Sequence, residues 1–517
     1  MLLTVEIREG EFWWGGTSVD ALVQPLTRES SYTLDLQNAG NQSAPLFLSS
    51  MGRYLWAESP MRVSFEGGVI TAEGEGVVLV ETGTCLRDAY LAAMRAHFPF
   101  EDKKLPETFF TTAQYNTWME FTYDPTQEGV LKYAHDIVDH GYTPGILMID
   151  EGWHTRYGIW EFDFAKFPDP RAMVDELHAL GFIVMLWVVP YVTSDGREFL
   201  RHVDKFFSEE GDAFVPRLLR DEKGRVALME WWNGYGAGLN LCAEADRKYL
   251  HKKLDLLREK YGVDGFKFDG GNICAYHPSR FFTGTIKESP EALNRAWNEF
   301  GEKYEYHEYK DTYKGGGKAT IQRIRDRGHS WGRDGLASLV PTALVQGLLG
   351  YPYICPDMIG GGSWACTIDP TFVYDEELFV RMAQCSVFFP MMQFSLAPWR
   401  VLGEEAEALC RAAAELHGKF APYLMECVEA TRKTGEPILR SMEYAYPHKG
   451  YERVTDQFLL GEEILVCPVL EKGQRERRAL LPEGTWKYLD GTVYQGGDAV
   501  TVAAEVDTLP YFERVAE

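Results

Sequence analysis

Acidic residues recur where apolar runs end. "GILMID" (Gly145–Asp150) closes on Asp150 and runs into Glu151, "GFKFD" on Asp269, and "YICPD" on Asp357. A further acid, Asp326, follows "TIQRIR" inside "RIRDRGHSWGRDG". Carboxylates gathered at one mouth are what glycoside hydrolysis uses, one as nucleophile or base and one as proton donor. Side chains alternate along a strand, so Lys267 and Asp269 share one face while Phe266 and Phe268 share the other. A nearby ammonium favours an ionised carboxylate, which suits a nucleophile. Two glycines follow Asp269 and leave room for a substrate. The bland alternative for any one strand-end Asp is a helix cap. Trp118, Trp153, Trp187, Trp231, Trp232, Trp331 and Trp399 fall near predicted strand ends or in a long connection. Singly, each reads as core; together they suggest aromatic faces for the C–H faces of sugars.

The elements that must position these groups follow from periodicity. From Thr111 onward, apolar runs alternate with amphipathic stretches such as "EGVLKYAHDIVDHG" and "ADRKYLHKKLDLLREKYG". Each repeats apolar positions at three- and four-residue spacing and stops at glycine, a common helix exit. Repeated αβ units with buried strands predict a parallel sheet closed into a β/α barrel of the TIM type, whose functional groups sit at the strands' carboxyl ends. Residues 1–105 read as an N-terminal β-sandwich, with short alternating runs between Gly, Asn and Pro turns. The barrel is expected over 106–431, with an inserted mouth subdomain at about 193–238, a connection too long for a plain loop. Residues 432–517 return to strand texture and read as a small C-terminal sandwich.

Composition narrows the function further. With 517 residues, the chain carries a net charge of −25, from 77 acidic and 52 basic residues. Such a surface repels phosphate backbones and argues against nucleic acid as a partner. No apolar run is long enough to span a bilayer, so no membrane partner is expected. The N-terminus lacks the basic and apolar regions of a secretion signal, and a cytoplasmic location is the default expectation. Nine cysteines lie scattered without metal-ligand spacing, which predicts reduced thiols and no zinc site. "GGGK" at Gly315–Lys318 lacks the context of a phosphate loop. No cofactor is expected, and the sequence leaves a homo-oligomer open.

Taken in order, "IDEGW", "WWNGYGAGLN", "YGVDGFKFDGG", "DRGHSWG", "GYPYICPDMIGG" and "FFPMMQFSLAPWR" resemble glycoside hydrolase family 31, and within it the α-galactosidase branch. The resemblance runs from "SSMGRYLW" (Ser49–Trp56) into the C-terminal strands. It implies a retaining, exo-acting α-glycosidase, with Asp269 as nucleophile and Asp326, five residues before Trp331, as general acid/base. Asp334 in "WGRDG" resembles another motif acid, but registration on Trp331 places it on the helix side. Asp150, Glu151, Trp187, Trp232, Lys267, Lys310, Arg323 and Asp357 fall on or beside positions that line the sugar subsite. For Lys310 and Arg323 a surface salt bridge is the plain alternative, and position 310 resembles an Arg in a related glycosidase. Family α-glucosidases carry Arg and His where this chain has Gln393 and Ser395, which argues for the galactosidase side. Asn240 stands where the branch commonly has Asp.

The implied chemistry is double displacement: Asp269 attacks the anomeric carbon while Asp326 protonates the leaving oxygen and later deprotonates water. Retention predicts carboxyl groups about 5–5.5 Å apart, against about 6.5–9.5 Å for inversion. Lys267 and Arg323 are expected to keep Asp269 ionised. Rival readings are an α-glucosidase, α-xylosidase, α-N-acetylgalactosaminidase or transglycosylase, and a carbohydrate-binding protein that has lost catalysis on the same scaffold.

Overall fold

Apolar strands that alternate with one-sided helices have one stable solution, a parallel sheet wrapped by its own crossovers. The computed structural model, which describes residues 1–196, 198–200, 218–364 and 371–515, shows that solution. Its nine-stranded sheet runs in the order Ile354–Cys355, Ile321–Arg323, Tyr306–Tyr309, Gly265–Phe268, Ile183–Val188, Ile146–Ile149, Gln114–Asn116, Gln393–Phe394 and Met358–Ile359. Every neighbouring pair is parallel. The two edge strands are separated in the chain only by Pro356 and Asp357, and Met391 N donates to the Ile354 carbonyl at 3.2 Å. The sheet therefore closes on itself as a barrel.

Local signals set the crossovers. The Gln127–Asp139 helix starts where the Thr126 side chain accepts from Gly129 N, which satisfies an otherwise unpaired amide. The Glu244–Tyr261 helix ends at Gly262, whose φ of 82° is open to glycine at little cost. It then delivers the chain into Gly265–Phe268. There the predicted alternation holds: Phe266 and Phe268 point outward, Phe266 against Tyr304 and Phe268 edge-on to Trp297 at 5.1 Å. Lys267 points inward, in register with Trp187 on one side and Glu308 on the other.

Two sheets precede the barrel. One orders Leu2–Glu6, Val69–Glu73, Arg62–Glu66 and Tyr32–Asp35; the other is built on Gln42–Ser49, Arg53–Trp56 and Val78–Glu81, with Trp13–Thr17 alongside Gln42–Ser49. The second sheet has one member from far along the chain. Thr312–Tyr313, which follows the Tyr306–Tyr309 barrel strand, pairs in parallel with Gln42–Ser43. A six-stranded sheet and a two-stranded sheet lie after the long Glu404–Thr434 helix. Over the barrel mouth, Tyr191–Thr193, Gly234–Gly238 and Leu228–Trp231 form a small antiparallel sheet. Within the expected mouth insertion, residue 197 and residues 201–217 lie outside the described residues. No described cysteine is paired, and Cys355, Cys385, Cys410, Cys427 and Cys467 are buried. Among the described residues no helix is long and apolar enough to cross a membrane.

Candidate active site

The carboxyl ends of the barrel strands open into a cavity of about 290 Å³. Asp150, Glu151, Trp187, Trp232, Lys267, Lys310, Asp269 and Asp326 line it, joined by Trp118, Tyr123, Met358 and Trp364. Both expected catalytic carboxylates thus face one space. Arg323 and Asp357 do not line it. Arg323 is fully buried and donates to Glu308 at 2.9 Å, to Asp357 at 2.8 Å and to the Gln393 side-chain carbonyl. Asp357 also accepts from Arg327 N at 2.9 Å. These two residues pair behind the cavity wall rather than lining it, and of the expected charges Lys267 and Arg323 it is Lys267, behind Lys310, that acts on Asp269.

Asp269 sits at the end of its strand, with its amide donating to the Val188 carbonyl at 2.9 Å. One carboxylate oxygen accepts from the Trp187 indole N–H at 2.9 Å and the other from Gly270 N at 2.7 Å. Burial opposes its charge, but Lys310, then Lys267, then those two donors outweigh burial and hold the carboxyl down to about 2. Asp269 is therefore a carboxylate at any ordinary pH, oriented by fixed donors and ready to act as a nucleophile. Lys267 itself donates to Asp150 at 2.7 Å, both side chains being buried. Asp150 accepts additionally from Asn116 Nδ2 at 2.7 Å and from Glu151 N at 2.9 Å.

Asp326 has a different setting. Its side chain is 39% exposed and accepts from Lys310 Nζ at 2.6 Å. Burial works against the Lys310 charge, yet Asp326 and then Asp269 outweigh it and raise its pKa. Lys310 lines the cavity together with both carboxylates, so its ion pair with Asp326 lies within the site and not on a remote surface.

Glu151 is buried beside this pair and accepts from Tyr157 Oη at 2.6 Å, Asn233 Nδ2 at 2.5 Å and, more weakly, the Trp232 indole at 3.4 Å. Burial lifts its carboxyl to about 7, and the charges of Asp150 and Asp269 add to the shift.

The aromatic expectation divides. Trp118, Trp187 and Trp232 face the cavity. Trp153 is core and donates to the Trp187 carbonyl, Trp331 donates to Asp375, and Trp399 stacks on His140. Tyr123, in a turn, and Trp364 escaped the sequence reading because neither stands beside a strand-end acid that would single it out. Met358 could have been found, since it directly follows the strand-end Asp357. Gln393 and Ser395 are spent on the protein: Gln393 takes Arg323, and Ser395 Oγ accepts from Met119 N at 2.8 Å. Asn240 donates to Glu288 at 2.7 Å and is absent from the cavity lining.

Comparison with known proteins places this geometry. The glycosyl hydrolases family 31 TIM-barrel domain matches residues 104–427, and the glycosyl hydrolase family 31 C-terminal domain matches residues 435–515. The myogenesis-regulating glycosidase of Mus musculus is 32% identical over 452 residues, covering 86% of this chain and 62% of its own length. The 1,3-alpha-isomaltosidase of Kribbella flavida is 27% identical over 413 residues, covering 71% of this chain and 50% of its own. This chain thus spans between half and two thirds of these relatives. Among solved structures, the Flavobacterium johnsoniae GH31 dextranase complexed with glucose superposes with a TM-score of 0.82 at 20% identity, over 99% of this chain and 66% of that one.

Proposed function

The chain belongs to glycoside hydrolase family 31, and on that premise we propose that it is a retaining, exo-acting α-glycosidase that releases a terminal α-linked galactose. The observation that carries the reading is the pair Asp269 and Asp326 on one cavity, the first buried and held ionised, the second partly exposed, with Lys310 answering to both. Asp269 attacks the anomeric carbon, and the bond to the leaving oxygen breaks as Asp326 passes its proton to that oxygen. In the glycosyl-enzyme Asp269 is an ester and carries no charge. Asp326 then takes a proton from the water that attacks the anomeric carbon, which releases the sugar and restores the Asp269 carboxylate.

A cavity of about 290 Å³ is at the small end of ligand pockets, which run roughly from 300 to 1,000 Å³. It suits one terminal ring, hence exo action. Galactose is supported by Gln393 and Ser395: where family α-glucosidases resembling this chain place Arg and His, these side chains turn into the protein. A second reading, release of glucose, is favoured by the names of the related isomaltosidase and dextranase. Rates on p-nitrophenyl α-galactoside, α-glucoside, α-xyloside and α-N-acetylgalactosaminide separate the two. The proposal expects the highest kcat/KM on the galactoside. A higher value on the glucoside selects the second reading, and sugar binding without turnover of any α-glycoside contradicts both.

A further inference from the structure

Lys310 acts between the two carboxylates, so its position needs a cause. It leaves the barrel at the end of Tyr306–Tyr309, where its own amide makes only a long contact of 3.3 Å to the Phe268 carbonyl. Its carbonyl is held instead from outside the barrel, by Asn41 Nδ2 at 3.0 Å and Gln42 Nε2 at 3.1 Å. The same Gln42 amide donates to the Arg323 carbonyl at 2.8 Å and approaches Gln322 Oε1 at 3.3 Å. Arg323 ends the strand that leads to Asp326. One side-chain amide therefore ties the strand end bearing Lys310 to the strand end bearing Asp326.

The surrounding contacts make this clamp stiff. Gln42 is wholly buried, and its Oε1 is approached by Ser18 Oγ at 3.4 Å, so its orientation is set within the N-terminal sheets. Asp311, the residue after Lys310, accepts from the Asn41 main-chain amide and from Asn294 Nδ2 at 3.4 Å. Thr312–Tyr313 then pairs with Gln42–Ser43, and Lys314 N donates to the Ser43 carbonyl at 2.9 Å. Buried main-chain groups must find partners, and residues 41–43 supply them for the Lys310 carbonyl and for the amides of Thr312 and Lys314.

We propose that Gln42, assisted by Asn41, is a positioning residue that sets the Lys310 ammonium against Asp326 and so governs proton transfer to the leaving group. The inference rests on the glycosidase reading above. A displacement of about 1 Å in a catalytic group can cost on the order of 100-fold in rate, and proton transfer from a placed acid contributes about 100- to 10,000-fold. Loss of the clamp should therefore fall on substrates whose departure needs the proton and spare those whose aglycone leaves unaided.

The test compares Gln42→Leu with wild type on an alkyl α-glycoside and on the 2,4-dinitrophenyl α-glycoside of the same sugar, with kcat/KM followed against pH. The expected result is a loss of about 30-fold or more on the alkyl glycoside, under about 3-fold on the dinitrophenyl glycoside, and a displaced limb in the alkyl profile. Asn41→Ala, which removes one of the two side-chain donors to the Lys310 carbonyl, should show the same pattern at smaller size. It carries the comparison alone if Gln42→Leu does not fold. Equal losses on both substrates, or a lowered melting temperature with an unchanged ratio, would overturn the inference. Wild type inert on both substrates would instead defeat the glycosidase reading.

Discussion

Asp150 and Glu151 are neighbours with opposite settings. Asp150 is met by an ammonium and two N–H groups, whereas Glu151 receives only neutral donors and lies near two other carboxylates. The consequence has a definite sign. Unfolded, Glu151 has its ordinary value of 4.5; folded, it stands at about 7. A raised carboxyl favours the folded state below its unfolded pKa, and that contribution disappears as pH rises through about 7. At about 1.4 kcal/mol per unit, the shift corresponds to roughly 3 kcal/mol. Urea unfolding of Glu151→Gln and wild type at pH 4 and pH 8.5 should therefore show the stability difference moving toward the variant by about 3 kcal/mol at the higher pH. A difference independent of pH would contradict this account of the residue. Asp269 has the opposite sign, since a carboxyl held at about 2 stabilises the fold above its unfolded value of 3.8 and loses that contribution only in strong acid.

At the scale of elements, the turn after Gly265–Phe268 decides whether Asp269 can face the cavity. Gly270 and Gly271 have φ of 62° and 66°, a region that side chains with a Cβ rarely enter. A Cβ on Gly271 would stand 2.4 Å from the Trp297 ring, and Gly271 N donates to Tyr191 Oη at 2.7 Å. Left-handed backbone costs about 1–2 kcal/mol and overpacking about 1–3 kcal/mol. Gly271→Ala should thus lose roughly 2–5 kcal/mol of stability, with activity falling as the turn shifts. A melting temperature unchanged from wild type would show that the turn has slack. The alternation of "GFKFD" made the strand and its inward face legible from sequence. Arg323 and Asp357 were placed in the right neighbourhood but on the wrong surface, because spacing cannot distinguish a side chain that meets a ligand from one that meets another buried charge.

Across the whole molecule, the barrel was legible because its strands and helices repeat, and the terminal sheets because short alternating runs lie between turn residues. The join between N-terminal sheet and barrel was not. Thr312–Tyr313 is a strand of two residues whose partner lies some 270 positions earlier, and neither length nor periodicity announces it. Tyr123 and Trp364 were hidden for a similar reason, since a residue away from the barrel strands joins a cavity only through the elements around it. Lys310 shows the combined effect. Its residue type departs from the pattern it resembles, and its role emerges only when two strand ends and a distant glutamine are placed together.

Asp269 is proposed to form the bond to the sugar. Incubation with a 5-fluoro-α-glycosyl fluoride of the preferred sugar, followed by digestion and tandem mass spectrometry, tests it directly, because the fluorine slows breakdown of the glycosyl-enzyme. One added fluorosugar is expected on the peptide carrying "GFKFD", located on Asp269. A sugar located on Asp326 or Glu151, or none on a chain that still turns over its substrate, would contradict it.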